Sequence, residues 1–130
     1  MSQPAIFQFD EIAWVDERAE AHPSAPEEML AEAERTGAKR KRIARGECGY
    51  FSQYTTMPPG FEVPGHSHDH DELFIVLAGG CRLTTGGKTL DLHARDSAAL
   101  AAGREYGFVV GPEGIEFMVV RPGEAGAAYS

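Results

Sequence analysis

"GFEVPGHSHDHDELFIVLAG", residues 60–79, sets three histidines (His66, His68, His70) and three acids (Asp69, Asp71, Glu72) directly against an apolar run. His66 and His68 stand at i and i+2, so a strand carries both imidazoles on one face. Glu72 lies four positions beyond His68 and shares that parity. Two imidazoles and a carboxylate converging from one face form the donor set favoured by Fe(II), with Mn, Ni or Zn also possible. The alternative is a solvated polar turn. The run "LFIVLAGG", which starts at Leu73, argues for the metal reading, because an apolar strand beginning there puts the cluster at the mouth of a core.

Outward from this stretch, the chain from residue 43 is a series of short β-type runs separated by glycine and proline. Strands are predicted at 43–48, 50–57, 73–78, 81–85, 89–92, 97–101, 107–110 and 115–121. "AGG" at 78–80 and "TGG" at 85–87 have the chemistry of tight hairpins, since glycine accepts positive φ at little cost. Many short, evenly spaced strands with few helices predict an antiparallel sandwich or barrel.

The first 40 residues differ in texture. "IFQFDEIAWV", from Ile6 to Val15, alternates in part and predicts one edge strand. Ser24 as N-cap, Pro26 and then Glu27 have the arrangement of a capping box, and "EEMLAEAERTG" predicts a short helix stopped by Gly37. "KRKR" at 39–42 is expected to be a solvated linker. The chain thus divides into an N-terminal extension, 1–40, and a barrel, 41–130.

Composition bounds the function. The 130 residues suffice for one domain, and 42% apolar with 25% charged is ordinary for a globular chain. A formal net charge of −8 repels phosphate backbones, which argues against nucleic-acid binding. No stretch approaches the ~18 apolar residues of a membrane span, and Met1-Ser2-Gln3-Pro4 lacks the features of a signal peptide. A cytoplasmic protein is expected. Cys48 and Cys81 are expected to be small buried residues rather than a redox pair.

Residues 60–79 resemble the first signature of the cupin superfamily without a gap. Gly60 is followed after five residues by His66, then by His68, three residues, Glu72, six residues and Gly79. With the strand pattern that follows, the resemblance covers residues 43–121. It implies an all-β double-stranded β-helix, a jelly-roll barrel carrying a short N-terminal helix. It also implies one divalent transition metal, iron foremost, held by His66, His68, Glu72 and a later histidine.

The second signature departs from the family. In "RDSAALAAGREYGF", Asp96 and Gly103 fit, but Arg95, Ala101 and Tyr106 take the glycine, proline and histidine places. Tyr106 at the fourth ligand's place can bind a cation as phenolate, act as acid or base, or fill the barrel. His70 is expected at the rim or behind the ligands, and Asp69 or Asp71 can orient a ligand histidine. His93 is expected to be exposed; His22 has no identifiable role.

The strand "YFSQYTTM", 50–57, is implied to line the cavity. Its alternation leaves two sets open, one with Phe51, Gln53, Thr55 and Met57, the other with Tyr50, Ser52, Tyr54 and Thr56. Gln53 and Tyr54 are the candidate substrate contacts, while Arg45 is expected to be exposed. The resemblance implies a metal-dependent enzyme on a small organic substrate, with dioxygenase-type cleavage foremost and Tyr106 and Glu72 catalytic. Non-redox lyase, cyclase or isomerase chemistry is the alternative, as is a small-molecule or metal sensor without catalysis. Small cupins usually pair, so a homodimer is expected, with "IFQFDEIAWV" packing against the partner or adding a strand to it.

Overall fold

The alternating runs assemble into a double-stranded β-helix, seen in a computed structural model that describes residues 4–20, 23–123 and the backbone of 127–129. His22 lies outside the described residues. The strands are β1 (Lys39–Arg45), β2 (Phe51–Met57), β3 (Glu62–His68), β4 (Glu72–Thr85), β5 (Lys88–His93), β6 (Ser97–Leu100), β7 (Tyr106–Arg121) and β8 (Ala127–Tyr129). All described pairings are antiparallel. The long strands β4 and β7 are the spine. β4 pairs with β6 through Glu72–Ile75 and with β5 through Gly80–Thr85, while β7 pairs with β2, β3 and β4.

Each spine strand was expected as two strands. Val76 and Cys81 are both buried although they differ in parity, and so are Val110 and Ile115. The inward face therefore switches within each strand, and in β4 this happens at register shifts between Val76 and Ala78 and between Gly79 and Cys81. Such irregularities bend a strand without ending it. Gly79 is the point of contact: its φ is +69°, and a Cβ there would lie 1.9 Å from the Gly114 carbonyl oxygen. The "AGG" stretch is thus a close crossing of β4 over β7, and only the "TGG" hairpin, joining Thr85 to Lys88, turns the chain. β3 was absent from the expected strands because Pro64 and Gly65 interrupt it.

The closed part of the barrel is apolar. Phe74 stacks on Phe117 with centroids 4.4 Å apart, and Phe108 meets both rings edge-on. Val76, Leu83, Ile115 and Val119 complete this core, and removal of their apolar surface from water is the main stabilising term. Polar residues are buried beside this core, where Thr55, His66, Glu72 and Tyr106 face the same cavity as Phe74, Phe108 and Phe117.

Residues 6–15, expected as an edge strand, form none. Phe9–Glu11 is a single 3₁₀ turn, and Val15 joins the sheet edge, its N–H donating to the Arg40 carbonyl at 2.8 Å. Phe9 meets Tyr54 edge-on at 4.8 Å and Trp14 lies 6.2 Å from the same ring. Part of the apolar surface expected to face a partner subunit is therefore used within the chain. Two helices follow, α1 (Glu17–Glu20) and α2 (Glu27–Thr36). The N-cap of α2 is Pro26, without a side-chain capping bond, in place of the expected Ser24. Gly37 ends the helix in the left-handed region as expected, with φ 81°. Met29 and Ala33 pack against the barrel core.

"KRKR" is no linker. It opens β1, which straddles the expected boundary at residue 40. Lys41 is 5% exposed, donates from Nζ to the Phe9 carbonyl at 2.7 Å and lies 3.9 Å from the Phe9 ring centroid. Arg40 and Arg42 share the opposite parity and line the barrel cavity. Cys81 is buried as expected, whereas Cys48 is exposed, on a turn where its φ is 58°. Among the described residues no helix is long and apolar enough to cross a membrane.

Candidate functional site

β3, β4 and β7 bring four of the predicted side chains together. His66 pairs across the sheet with Tyr106, the first residue of β7, and Glu72 is the first residue of β4. The loop between β6 and β7 is pinned to this end, because the Gly103 N–H donates to the His68 carbonyl at 2.8 Å. Asp71 holds the same loop by accepting the Ala102 N–H at 2.8 Å.

The Tyr106 hydroxyl donates to Glu72 Oε1 at 2.7 Å and lies 3.4 Å from His68 Nε2. His68 Nε2 is 3.6 Å from the same carboxylate oxygen, and Arg121 Nη1 stands 3.8 Å from Glu72 Oε2. Glu72 is thus a buried carboxylate with a phenol on one oxygen and a guanidinium near the other. The His66 ring is 4.4 Å from the Tyr106 ring and 5.0 Å from that of His68, centroid to centroid.

His66 Nδ1 lies 2.9 Å from the Pro64 carbonyl, which can only accept, so Nδ1 carries the proton and Nε2 the lone pair. Burial holds the His66 pKa below the ordinary histidine value, partly offset by that carbonyl. A neutral imidazole is the form that ligates a metal. For His66 the orienting group is the Pro64 carbonyl.

Three of the donors lie close to the spacing that a metal requires. Bonds of about 2.0–2.2 Å to a shared ion set neighbouring donors about 2.8–3.6 Å apart. The mutual separations of His68 Nε2, Glu72 Oε1 and Tyr106 Oη are 2.7, 3.4 and 3.6 Å. Among the described residues no three His, Cys, Asp or Glu side chains are assembled for a metal. The close-set trio here includes the phenol.

These groups face a cavity of about 310 Å³. Gln53, Thr55 and Met57 line it, so β2 turns its odd-numbered residues inward. Tyr54 faces the other way, where it hydrogen-bonds Glu116 and meets Phe9; burial and that carboxylate push its phenol up to about 12. It does not line this cavity. His70 is half-buried against Gly123 and is not among the residues lining the cavity, and His93 is exposed. Arg45 is exposed too.

Sequence reasoning missed the basic wall. Arg40, Arg42 and Arg121 line the cavity, as do Met29 and Leu30 of α2. The signal was present in "KRKR": in a strand, Arg40 and Arg42 fall on one face and Lys41 on the other.

Residues 53–121, more than half of the chain, match the cupin domain family, and the chain belongs to it. No curated protein matches the chain. Among solved structures, KdgF from Halomonas sp. superposes with a TM-score of 0.68 at 18% identity, over 94% of this chain and 96% of that one. A double-stranded β-helix protein from Klebsiella pneumoniae gives 0.61 at 28% identity, over 70% of this chain and 82% of that one. An oxalate decarboxylase variant from Bacillus subtilis gives 0.59 at 20% identity, over 66% of this chain and 25% of that one. At these identities the likeness shows the shared barrel.

Proposed function

We propose that this cupin is a metal-dependent enzyme that moves a proton on a small organic substrate, in a non-redox isomerisation, cyclisation or elimination. The observation that carries this reading is the buried Tyr106 phenol, hydrogen-bonded to Glu72 and facing the cavity. A phenol in that position holds a transferable proton, and the carboxylate beside it can receive or return one. His66, His68 and Glu72 are the proposed ligands of a divalent ion, with Tyr106 the fourth donor or its neighbour. Such an ion, when bound, polarises a carbonyl or hydroxyl oxygen and eases loss of the adjacent proton. Arg121 offsets the Glu72 charge, while Met29, Leu30 and Phe61 give the cavity an apolar side that sheds water.

Dioxygenase-type cleavage is the second reading, favoured by the two-histidine, one-carboxylate donor set that suits Fe(II). Turnover of a panel of small hydroxy acids, diketones and sugar acids, with and without oxygen, separates the two. The proposal expects equal rates under nitrogen and no oxygen uptake. Turnover that stops without oxygen overturns it in favour of oxidative cleavage.

A further inference from the structure

The cavity wall is basic in a protein whose net charge is −8. Lys39, Arg40, Arg42 and Arg121 line it, and the acids among the described lining residues are Glu72, Glu17 and Glu20. Glu72 is committed to Tyr106 at the inner end. Glu17 and Glu20 do not belong to the barrel at all, since they are the first and last residues of the four-residue α1.

Each pairs with one arginine. Arg40 Nε lies 2.8 Å from Glu17 Oε1 and Arg42 Nε lies 3.5 Å from Glu20 Oε1. The arginines are i and i+2 on β1 and so reach the same side of the strand. Gln53 Oε1 accepts from Arg40 Nη1 at 3.0 Å and fixes that guanidinium from the barrel side. A planar, oriented guanidinium matches a carboxylate's two oxygens. The wall thus already holds carboxylates, supplied by the chain itself.

The hold on them is uneven. α1 buries no residue, and the 3.5 Å Arg42–Glu20 pair, with Glu20 exposed, is worth little, whereas the Arg40–Glu17 pair is a part-buried hydrogen bond. Arg18 ties α1 to Glu27 and Glu34 of α2, a contact outside the barrel. If Glu17 and Glu20 withdraw, the described lining keeps four cations against Glu72.

We propose that Arg40 and Arg42 form a carboxylate-binding subsite at the cavity mouth, whose resident occupants, Glu17 and Glu20, are displaced by the carboxylate of an organic-acid ligand. This names the substrate class of the proposed function and rests on the cavity being its substrate site. The ligand's carboxylate end meets the arginines and its reactive end points toward Tyr106.

Calorimetric titration of the full chain with succinate tests this, with uncharged succinamide and inorganic phosphate as controls. Succinate binds, succinamide does not, and phosphate binds at least about tenfold more weakly. Glu17→Gln/Glu20→Gln removes the internal competitor and tightens succinate about tenfold. Arg40→Gln/Arg42→Gln weakens it about tenfold or more, with the barrel's circular dichroism retained. Should that variant not fold, the glutamate variant decides alone. Unchanged or weaker succinate affinity in Glu17→Gln/Glu20→Gln overturns the subsite, as does phosphate binding as tightly as succinate. Binding is read without turnover, so its failure leaves the metal and proton-transfer roles standing, and theirs leaves the subsite standing.

Discussion

Tyr106 and Glu72, the first residues of β7 and β4, are joined by a 2.7 Å hydrogen bond from the phenol to carboxylate Oε1. The bond puts a dissociable proton at the place where the family's second signature has a histidine.

Substitution at Tyr106 follows from it. Tyr106→Phe keeps nearly the same volume and removes the proton, so the barrel folds and turnover falls on the order of 10²-fold or more. Tyr106→His supplies the family's imidazole and tightens metal binding. Unchanged activity and metal affinity in both variants would reduce Tyr106 to packing.

The crossing of β4 over β7 leaves no space at Gly79, where a Cβ would lie 1.9 Å from a backbone oxygen. Gly79→Ala adds both that clash and the strain of positive φ, and is expected to cost on the order of 3 kcal/mol. Denaturant unfolding measures it. A loss below about 1 kcal/mol would mean that the crossing relaxes freely.

The N-terminal segment stabilises the barrel through Lys41, whose ammonium is held by the Phe9 carbonyl and lies over the Phe9 and Trp14 rings. Phe9→Ala removes one ring and its edge contact with Tyr54, at an expected cost of about 1–2 kcal/mol. Unchanged thermal stability would show that the segment merely lies on the sheet. We also propose that the chain forms a homodimer, which sedimentation at high concentration as a monomer would contradict.

The two cysteines differ in reactivity. Burial, helped by the Asp91 charge, pushes the Cys81 thiol up to about 11, so it stays protonated and covered at pH 8. Cys48 is exposed. Because the thiolate is the nucleophile, iodoacetamide labels only Cys48 in the folded chain and both residues after denaturation. Labelling of Cys81 before unfolding would contradict its burial.

How far the sequence was legible depended on what each residue faces. His66, His68 and Glu72 sit where strand parity puts them, because one buried face fixes alternation. β4 and β7 read as pairs of strands because Gly79–Gly80 and Gly111–Gly114 look like turns; the distinction lies in a contact between residues 35 apart in sequence. Arg40 and Arg42 were lost because strands are sought as apolar alternation, and a strand that turns arginines toward a cavity has none. Phe9 and Trp14 read as a strand, yet what they cover is a lysine's ammonium, which no local pattern announces.

Metal stoichiometry tests the central claim most directly. The full chain, purified without chelator and then incubated with iron, manganese, nickel or zinc, is expected to hold one ion per chain by elemental analysis. His66→Ala and His68→Ala are each expected to lose it while keeping the wild-type circular dichroism. Wild-type metal content in both variants, or a wild-type chain that takes up none of these metals, would contradict the account.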